Sequence, residues 1–454
     1  MHDFHTKNPY TQQKIKEYSY FSKERLEQCL GAAAGANPVW GITSISERTL
    51  LLKRVAQLME ERSETLAQLI TDEMGKPIGQ SRAELDKCIW VCKFYAKNAA
   101  SFLADAVIET EAAQSFISYD PLGTILGIMP WNYPFWQVMR FAAPTLTAGN
   151  TIILKHAENV SGCAQAIASL FMDAGYPKGC FQVILADHDS VSELIAHDVI
   201  KAVSLTGSGK AGRAVAETAG KQLKKAVLEL GGNNSCVVWE DADLEKYMDV
   251  MVKARMQNNG QSCIAAKRFI VVAPIYDAFV TQLKKRLEAL RIGDPNEEDT
   301  DISVLARTDL ADTLRGQVSE SVEMGAKIVM GHTGEGTHYA PTMLTNVTNK
   351  MPVFREETFG PVATVIKVAN RQEALDLAAD STFGLGTMLF TEDIEAAKKV
   401  ISQIPDGAFF INEMVKSDVR LPFGGTKNSG YGRELSKEGI MEFVNKKTIY
   451  ITKN

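Results

Sequence analysis

Among the seven cysteines, Cys263 is the one most suited to act as a nucleophile. It follows the polar, turn-forming stretch 258–262 (NNGQS), whereas the other six lie in helical or strand-like segments. Glycine and polar neighbours expose a thiol, and a helix beginning just after it would lower its pKa. An inert, buried cysteine is the ordinary alternative. We therefore take Cys263 as the candidate nucleophile.

Two further polar residues come at the ends of short apolar runs. Glu229 follows the run 226–228, where a carboxylate without a partner has a raised pKa. A raised pKa suits a general base that works near neutral pH. Asn132 lies in the stretch 130–134 (PWNYP), where its amide can donate to an oxyanion. The alternatives are a solvated glutamate and an Asx turn.

A glycine-rich turn joins an apolar run to a helical one. Gly207, Gly209 and Gly212 match the pattern G-x-G-x-x-G, and backbone N–H groups at such a turn bind phosphate. Glu229 then lies near the expected position of a ribose-binding acid. An ordinary tight turn is the alternative. Thiol, carboxylate, amide donor and phosphate-binding turn together could oxidise a carbonyl through a covalent thioester with a nucleotide cofactor.

The elements that position these residues are of the α/β class. Short apolar runs at 124–129, 151–154, 181–185, 202–205 and 226–228 alternate with helical segments, which predicts a parallel sheet covered on both faces. A second such unit has runs at 235–238, 269–272, 327–329, 362–366 and 407–411. The boundary lies near residue 230. Before the sheets, a helix capped by Ser46 ends at Gly75.

Composition excludes several classes of protein. The 454 residues carry 49 basic and 55 acidic side chains, a net charge of −6, which argues against nucleic-acid binding. No apolar stretch reaches the length of a membrane helix, and the N-terminus does not resemble a signal peptide. Neither the cysteines nor the seven histidines have metal-binding spacing, so we expect no metal. A cytoplasmic protein with reduced thiols is the expectation.

Seven motifs occur in the order typical of the aldehyde dehydrogenase superfamily, which the chain resembles over nearly its whole length. They are 130–134 (PWNYP), 154–158 (LKHAE), 206–208 (TGS) with Gly212, 229–232 (ELGG), 260–263 (GQSC), 356–361 (EETFGP) and 422–425 (PFGG) followed by 429–430 (SG). Within the superfamily the chain is most similar to short bacterial succinate-semialdehyde dehydrogenases, through 139–144 (MRFAAP), 154–157 (LKHA) and 416–418 (KSD) ahead of 420–425 (RLPFGG).

The resemblance implies a role for each catalytic residue. Cys263 attacks the aldehyde as a thiolate, and the oxyanion lies against the Asn132 side chain and the Cys263 backbone N–H. Glu229 then activates the water that hydrolyses the thioester, so it is catalytic and not a ribose ligand. Because Glu229 is present, hydrolysis is favoured over a CoA-acylating reaction. Intact Asn132, Glu229 and Cys263 also argue against a catalytically silent binding protein.

The resemblance also implies a cofactor site. Ser208 lies near the pyrophosphate, Lys155 and Glu158 hold the adenosine ribose, and Glu357 holds the nicotinamide ribose. The remaining residues assigned to this site are Trp131, Gly207, Gly212 and Phe359. A carboxylate at position 158 accepts hydrogen bonds from a ribose diol and repels a 2′-phosphate. NAD is therefore predicted over NADP, with NADP as the alternative.

The substrate follows from Arg140, where similar semialdehyde enzymes place a carboxylate-binding arginine. A bidentate ion pair there would select an aldehyde that carries a terminal acid, and Trp136, Ser262 and Ser417 are expected to line the same pocket. A surface arginine in a salt bridge is the alternative. Gln257 stands where many such enzymes have a second arginine. Glutarate semialdehyde or a broader range of aldehydes therefore remains open beside succinate semialdehyde.

The implied architecture is two Rossmann-like α/β domains with parallel sheets and a small oligomerisation arm. Residues 1–230 would form the dinucleotide-binding domain and residues 231–430 the catalytic domain. Residues 107–119 and the C-terminal segment 431–454 would form the arm. An exposed terminal strand favours pairing with another subunit, and the resemblance implies a homodimer or homotetramer.

Overall fold

Strands of near-continuous apolar sequence form two mainly parallel sheets, because both faces of each sheet are covered. A computed structural model describes residues 3–452. The helices are α1 Lys23–Ile42, α2 Ile45–Glu61, α3 Ser63–Met74, α4 Ile78–Phe102, α5 Trp136–Thr147, α6 Ser161–Asp173, α7 His188–Ala196, α8 Gly209–Lys221, α9 Leu244–Met256, α10 Tyr276–Glu288, α11 Thr308–Glu323, α12 Pro352–Arg355, α13 Arg371–Ala379, α14 Ile394–Val400 and α15 Ser436–Ile440.

The strands are β1 Asp3–Lys7, β2 Lys14–Ser19, β3 Ala106–Val107, β4 Gln114–Pro121, β5 Thr124–Met129, β6 Thr151–His156, β7 Phe181–Ile184, β8 Ile200–Thr206, β9 Lys225–Glu229, β10 Ser235–Val238, β11 Arg268–Val272, β12 Lys327–Met330, β13 Thr342–Thr345, β14 Val362–Val368, β15 Phe383–Gly384, β16 Thr387–Phe390, β17 Phe409–Ile411, β18 Thr426–Lys427, β19 Gly430–Tyr431 and β20 Val444–Ile451.

The first sheet has the strand order β19-β9-β8-β5-β6-β7. All its pairs are parallel except that of β19 with β9. Ile125 and Leu126, adjacent in β5, belong to two different hydrophobic clusters because successive strand residues point to opposite faces. Helices α2 to α6 contribute to one cluster, α7 and α8 to the other, and α1 to both.

The second sheet has the order β12-β13-β14-β11-β10-β16-β17, with only β12 antiparallel to its neighbour. Val237 and Val238 of β10 again point into separate clusters. The predicted α/β class with mainly parallel sheets is confirmed. No helix within residues 3–452 has an apolar stretch long enough to cross a membrane.

A small antiparallel sheet joins the end of the chain to the segment before the first sheet. Strand β20 pairs with β4, from Val444 opposite Pro121 to Ile451 opposite Gln114, and β3 lies on the other side of β4. The proposed domain boundaries and the oligomerising role of this sheet stay predictions. One strand crosses the predicted division, because β19 from the end of the chain completes the first sheet beside β9.

Local predictions were wrong for two missed strands and for the helix expected to run from Ser46 to Gly75, which is two helices, α2 and α3. Ser44, not Ser46, caps α2: its hydroxyl accepts from the Glu47 N–H at 3.2 Å, and the Glu47 carboxylate accepts from the Ser44 N–H at 3.1 Å. This reciprocal capping box requires Glu three residues after the cap, which Ser46 lacks. Strands β13 and β16 of the second sheet were missed, although β13 lies between β12 and β14 and β16 lies between β10 and β17. Each of these strands has four residues, which give too short a periodic signal.

Candidate active site

The candidate catalytic residues gather at one edge of the first sheet. Strands β5, β6, β8 and β9 are parallel and end there together, since Met129 pairs with His156 and Thr206 with Glu229. In open α/β sheets the loops at this edge bind ligands. The loop after β5 carries Asn132, and β9 itself ends at Glu229. Cys263 comes from the second unit, and its turn meets the Asn132 loop because the Asn132 side chain donates to the carbonyl of Gln261.

A cavity of about 640 Å³ opens beside Cys263. All four residues predicted to bind substrate line it together with the nucleophile; they are Trp136, Arg140, Ser262 and Ser417. Gln257, the position that lacks a second arginine, also lines the cavity. Lys87 lines it as well, although no motif in the sequence singled out this residue. The fold therefore places the candidate thiol in one chamber with hydroxyl and basic side chains.

The turn that presents Cys263 has an unusual backbone. Asn258, Asn259 and Gly260 all have positive φ, at 58°, 54° and 72°. Asparagine and glycine adopt this left-handed region at least cost, which explains the sequence Asn-Asn-Gly. A side chain at Gly260 would collide with the backbone of Gly360. Asn259 fixes the turn by donating to the carbonyl of Val304 at 2.8 Å.

A buried lysine, Lys267, binds the backbone of the turn that presents Cys263. The Lys267 ammonium donates to the carbonyls of Ser262 at 2.8 Å and Cys263 at 2.7 Å, and to Glu357 Oε1 at 3.0 Å. Glu357 Oε1 also accepts from the Gly232 N–H at 3.0 Å. The candidate ribose ligand Glu357 is therefore tied to the candidate nucleophile through one side chain.

The expectation of a helix after Cys263 was wrong. The residues after it form a turn that leads into β11 at Arg268, so no helix N-terminus lowers the pKa of the thiol. Burial instead raises the pKa of Cys263 to about 11, although Lys267 and Arg140 act in the opposite direction. The thiol is half-buried, and Cys29 on α1 is the only other cysteine in the described residues with comparable exposure.

Asn132 is buried and rigidly held. Its Nδ2 donates to the carbonyl of Gln261 at 3.1 Å, and Asn258 Nδ2 donates to the Asn132 carbonyl at 2.8 Å. A primary amide has two N–H groups, so one remains for a ligand. The loop is fixed further along, where Glu84 Oε1 accepts from the N–H groups of Phe135 at 2.8 Å and Trp136 at 2.9 Å. Glu84 was not recognised from sequence.

Glu229 is almost fully buried, which rules out the solvated strand-end alternative. Its Oε1 has no hydrogen-bond partner within residues 3–452. Burial raises its pKa well above the ordinary value, and the nearby Glu434 acts in the same direction while Arg140 opposes both. A buried carboxylate with a free acceptor atom and a raised pKa has the properties of a general base.

Arg140 is buried in α5, so it is not a surface arginine. Its Nε forms an ion pair with Glu434, and its Nη2 donates to Thr206 Oγ1 at 3.2 Å. The guanidinium carbon lies 4.9 Å from the centre of the Phe423 ring. The alternative of a surface arginine in a salt bridge is therefore half right: the salt bridge exists, but it is buried.

The predicted cofactor residues form two groups. The Trp131 and Phe359 rings meet edge to face at 5.7 Å, and the Lys267 ammonium that pairs with Glu357 lies 5.9 Å from the centre of the Phe359 ring. In the second group, Glu158 Oε1 accepts from the Tyr20 hydroxyl at 2.6 Å. Lys155 is buried, and no acidic group within residues 3–452 lies within ion-pair distance of its ammonium. Burial lowers the pKa of this lysine.

The glycine-rich turn performs two distinct tasks. The Ser208 hydroxyl caps α8 by accepting from the Ala211 N–H at 3.2 Å, next to the half-buried Gly207. The first backbone N–H groups of α8 have no partner within the helix and can face an anion. Gly212 lies inside the helix, where a Cβ would come within 2.6 Å of Leu230. Its contribution visible here is close packing of helix on strand.

No group of three or more His, Cys, Asp or Glu side chains in the part of the chain that the structure describes is arranged to hold a metal ion.

Residues 2–449 match the model of the aldehyde dehydrogenase family. The chain belongs to the aldehyde dehydrogenase family. The region around Cys263 is therefore the candidate active site of a family member, and the roles of its individual residues stay predictions.

Relatives of known sequence and structure match over nearly the whole chain. The chain is 48% identical over 449 residues to a probable NADP(+) succinate-semialdehyde dehydrogenase of Synechocystis sp., covering 98% of this chain and 99% of that one. It is 44% identical to an Escherichia coli succinate semialdehyde dehydrogenase named for NAD(P)+, covering 98% and 96%. A Streptococcus pyogenes succinic semialdehyde dehydrogenase solved with NADP+ aligns with a TM-score of 0.97, at 35% identity, covering 99% and 100%.

Proposed function

We propose that the protein oxidises succinate semialdehyde to succinate with a nicotinamide dinucleotide. The observation that carries this proposal is the cavity, where Cys263 shares a wall with basic and hydroxyl side chains that suit a substrate carboxylate. The names of the two similar sequences support the same substrate. Glutarate semialdehyde, one carbon longer, is the second candidate, because Gln257 leaves space where an arginine would otherwise stand.

The residues divide the chemistry as follows. The Cys263 sulfur, as thiolate, bonds to the aldehyde carbon, and the resulting oxyanion accepts from the free N–H of Asn132 and the Cys263 backbone N–H. The bound nicotinamide supplies the hydride acceptor. Glu229 takes a proton from the water that attacks the acyl carbon, and the thiolate leaves as succinate forms. The raised pKa of Glu229 gives the carboxylate the affinity for that proton.

The residues present fit a dinucleotide. The Lys155 ammonium is buried without an acidic partner in the described residues, so it is available to donate to ribose hydroxyls. The N-terminus of α8 offers N–H groups for a phosphate. Glu357, Trp131 and Phe359 form the other end of the site. We infer that Glu158 favours the 2′-hydroxyl of NAD over the 2′-phosphate of NADP by charge repulsion.

Comparing succinate semialdehyde with butanal tests the substrate. The two aldehydes have the same number of carbons, and only one carries a carboxylate. We expect kcat/KM for the acid to exceed that for butanal by about 30-fold or more, as for a hydrogen-bonded charge. Equal values would overturn the semialdehyde proposal. Glutarate semialdehyde in the same assay separates the two acids, and detection of free succinate rather than an acyl-CoA separates hydrolysis from acyl transfer.

A further inference from the structure

We propose that Lys87 is the residue that binds the carboxylate of the substrate and so determines specificity for a semialdehyde. This inference rests on the proposed function. It differs from the sequence-based expectation, which gave that role to Arg140. Lys87 lies on α4 and lines the same cavity as Cys263.

The contacts of Lys87 place its ammonium in the cavity wall. The Nζ donates to Ser417 Oγ at 2.7 Å and lies 4.4 Å from the centre of the Trp136 ring. Both Ser417 and Trp136 line the cavity too. An aromatic face stabilises a cation without neutralising it. The ammonium is therefore held in position while it keeps its charge and two further N–H groups.

No carboxylate neutralises this ammonium directly. Within residues 3–452, no acidic oxygen lies within ion-pair distance of Lys87. Two carboxylates act on the Lys87 charge from a distance, and each has another cation as its partner. Glu84 pairs with Lys76, and Asp418 pairs with Arg420 at 2.6 Å. A charge withdrawn from water without a partner is costly. A ligand carboxylate would supply the missing partner.

Arg140 has the opposite status. Glu434 already matches its charge, and Thr206 takes one of its N–H groups. Of the other cavity-lining cations, Lys416 pairs with Glu413 at 2.7 Å and Arg286 pairs with Asp249 at 3.0 Å. Lys253 is exposed at the rim. Lys87 is thus the half-buried, unpaired cation in the cavity wall.

The electrostatics add a dependence on pH. Burial lowers the pKa of Lys87 to about 8, and repulsion from Arg140 acts in the same direction. Cys88, Glu84 and Asp418 oppose this change. The charged form, which binds a carboxylate, is complete below this value and is lost as the pH rises through it. A substrate carboxylate would raise the pKa again on binding.

The test is the ratio of kcat/KM for succinate semialdehyde to that for butanal, because effects common to both aldehydes cancel. In Lys87→Met we expect the ratio to fall about 30-fold, mainly through KM for the acid. Lys87→Arg should restore part of it. Lys253→Met, which removes an exposed lysine at the rim of the same cavity, should change the ratio less than about 3-fold.

The pH profile supplies a second readout that needs no variant. The wild-type ratio should decrease between pH 7 and pH 9, and competitive inhibition of butanal oxidation by succinate should weaken over the same range. An unchanged ratio in Lys87→Met, or a wild-type ratio independent of pH, would overturn the role of Lys87 and leave the proposed function standing. A wild-type ratio near one would instead overturn the proposed function itself.

Discussion

Two lysines, one just before α4 and one within it, lie in contrasting environments. Lys76, just before the helix, is fully buried and pairs with Glu84. Lys87, three residues after Glu84, faces the cavity, and its polar partners within residues 3–452 are the Ser417 hydroxyl and the Trp136 ring. The same residue type thus serves a closed network in one region and an open chamber in the other.

The difference separates charges that hold the backbone from charges that are available to a ligand. The Lys76–Glu84 ion pair fixes the loop that carries Asn132, because Glu84 also accepts from two backbone N–H groups there. Lys267, paired with Glu357, does the same for the turn of Cys263. Lys87 and Lys155 have no ion-pair partner within residues 3–452, and Glu229 Oε1 has no hydrogen-bond partner there. We assign the first to the substrate, the second to the cofactor and the third to the chemistry.

The largest effect is expected at Glu229. Glu229→Gln keeps the shape of the side chain and removes the base, so steady-state turnover should fall by about 10²–10⁴-fold. Thioester formation does not need this base, so one equivalent of reduced cofactor per site should still appear in a rapid burst. Glu438→Gln, an exposed acid on α15, is the control. Loss of burst and turnover together would contradict a role confined to hydrolysis.

The second largest effect is expected on the free energy of unfolding, which should distinguish Lys76 from Lys87. Lys76→Met leaves Glu84 buried without its cation, so the free energy of unfolding should drop by about 3–5 kcal/mol. Lys87→Met removes a cation that has no acidic partner, so it should lose less than about 0.5 kcal/mol. Urea denaturation followed by tryptophan fluorescence measures both. Equal losses would show that Lys87 is as structural as Lys76 and would remove the contrast.

The reactivity of the thiol should depend on pH through its burial. With the pKa of Cys263 at about 11, the thiolate fraction of the cofactor-free enzyme rises about tenfold per pH unit below that value. Alkylation by iodoacetamide should therefore accelerate about 100-fold from pH 7 to pH 9. A Cys29→Ala background removes the other half-buried thiol. An alkylation rate that reaches a plateau below pH 9 would mean that Lys267 and Arg140 lower the pKa of Cys263 more than burial raises it.

The smallest expected effect concerns the cofactor. Glu158→Gln removes the charge that opposes a 2′-phosphate, so the ratio of kcat/KM for NADP to that for NAD should rise about tenfold. Tyr20→Phe removes the hydroxyl that binds Glu158 and leaves the charge, so it should change the ratio less. No response to Glu158→Gln would show that Lys155 or the backbone sets the preference.

Much of the site could be predicted because its signals are local. The Asn-Asn-Gly run before Cys263 matches the left-handed turn that presents the thiol. Most strands of the two sheets agree with their apolar runs, for example 124–129 with β5 and 235–238 with β10. The errors were local as well, at the cap of α2, at the short strands β13 and β16 and in the expected helix after Cys263.

The sequence alone therefore determined the α/β class, the family and the set of candidate catalytic side chains, since periodicity and motif spacing depend on neighbours along the chain. Only the tertiary structure decided which charges are matched. Arg140 meets Glu434, which is far away in sequence, whereas Lys87 meets no acid in the described residues. Ion pairing and burial depend on distances across the fold, so the same structure gives one cation a structural partner and leaves another in the cavity wall for the substrate.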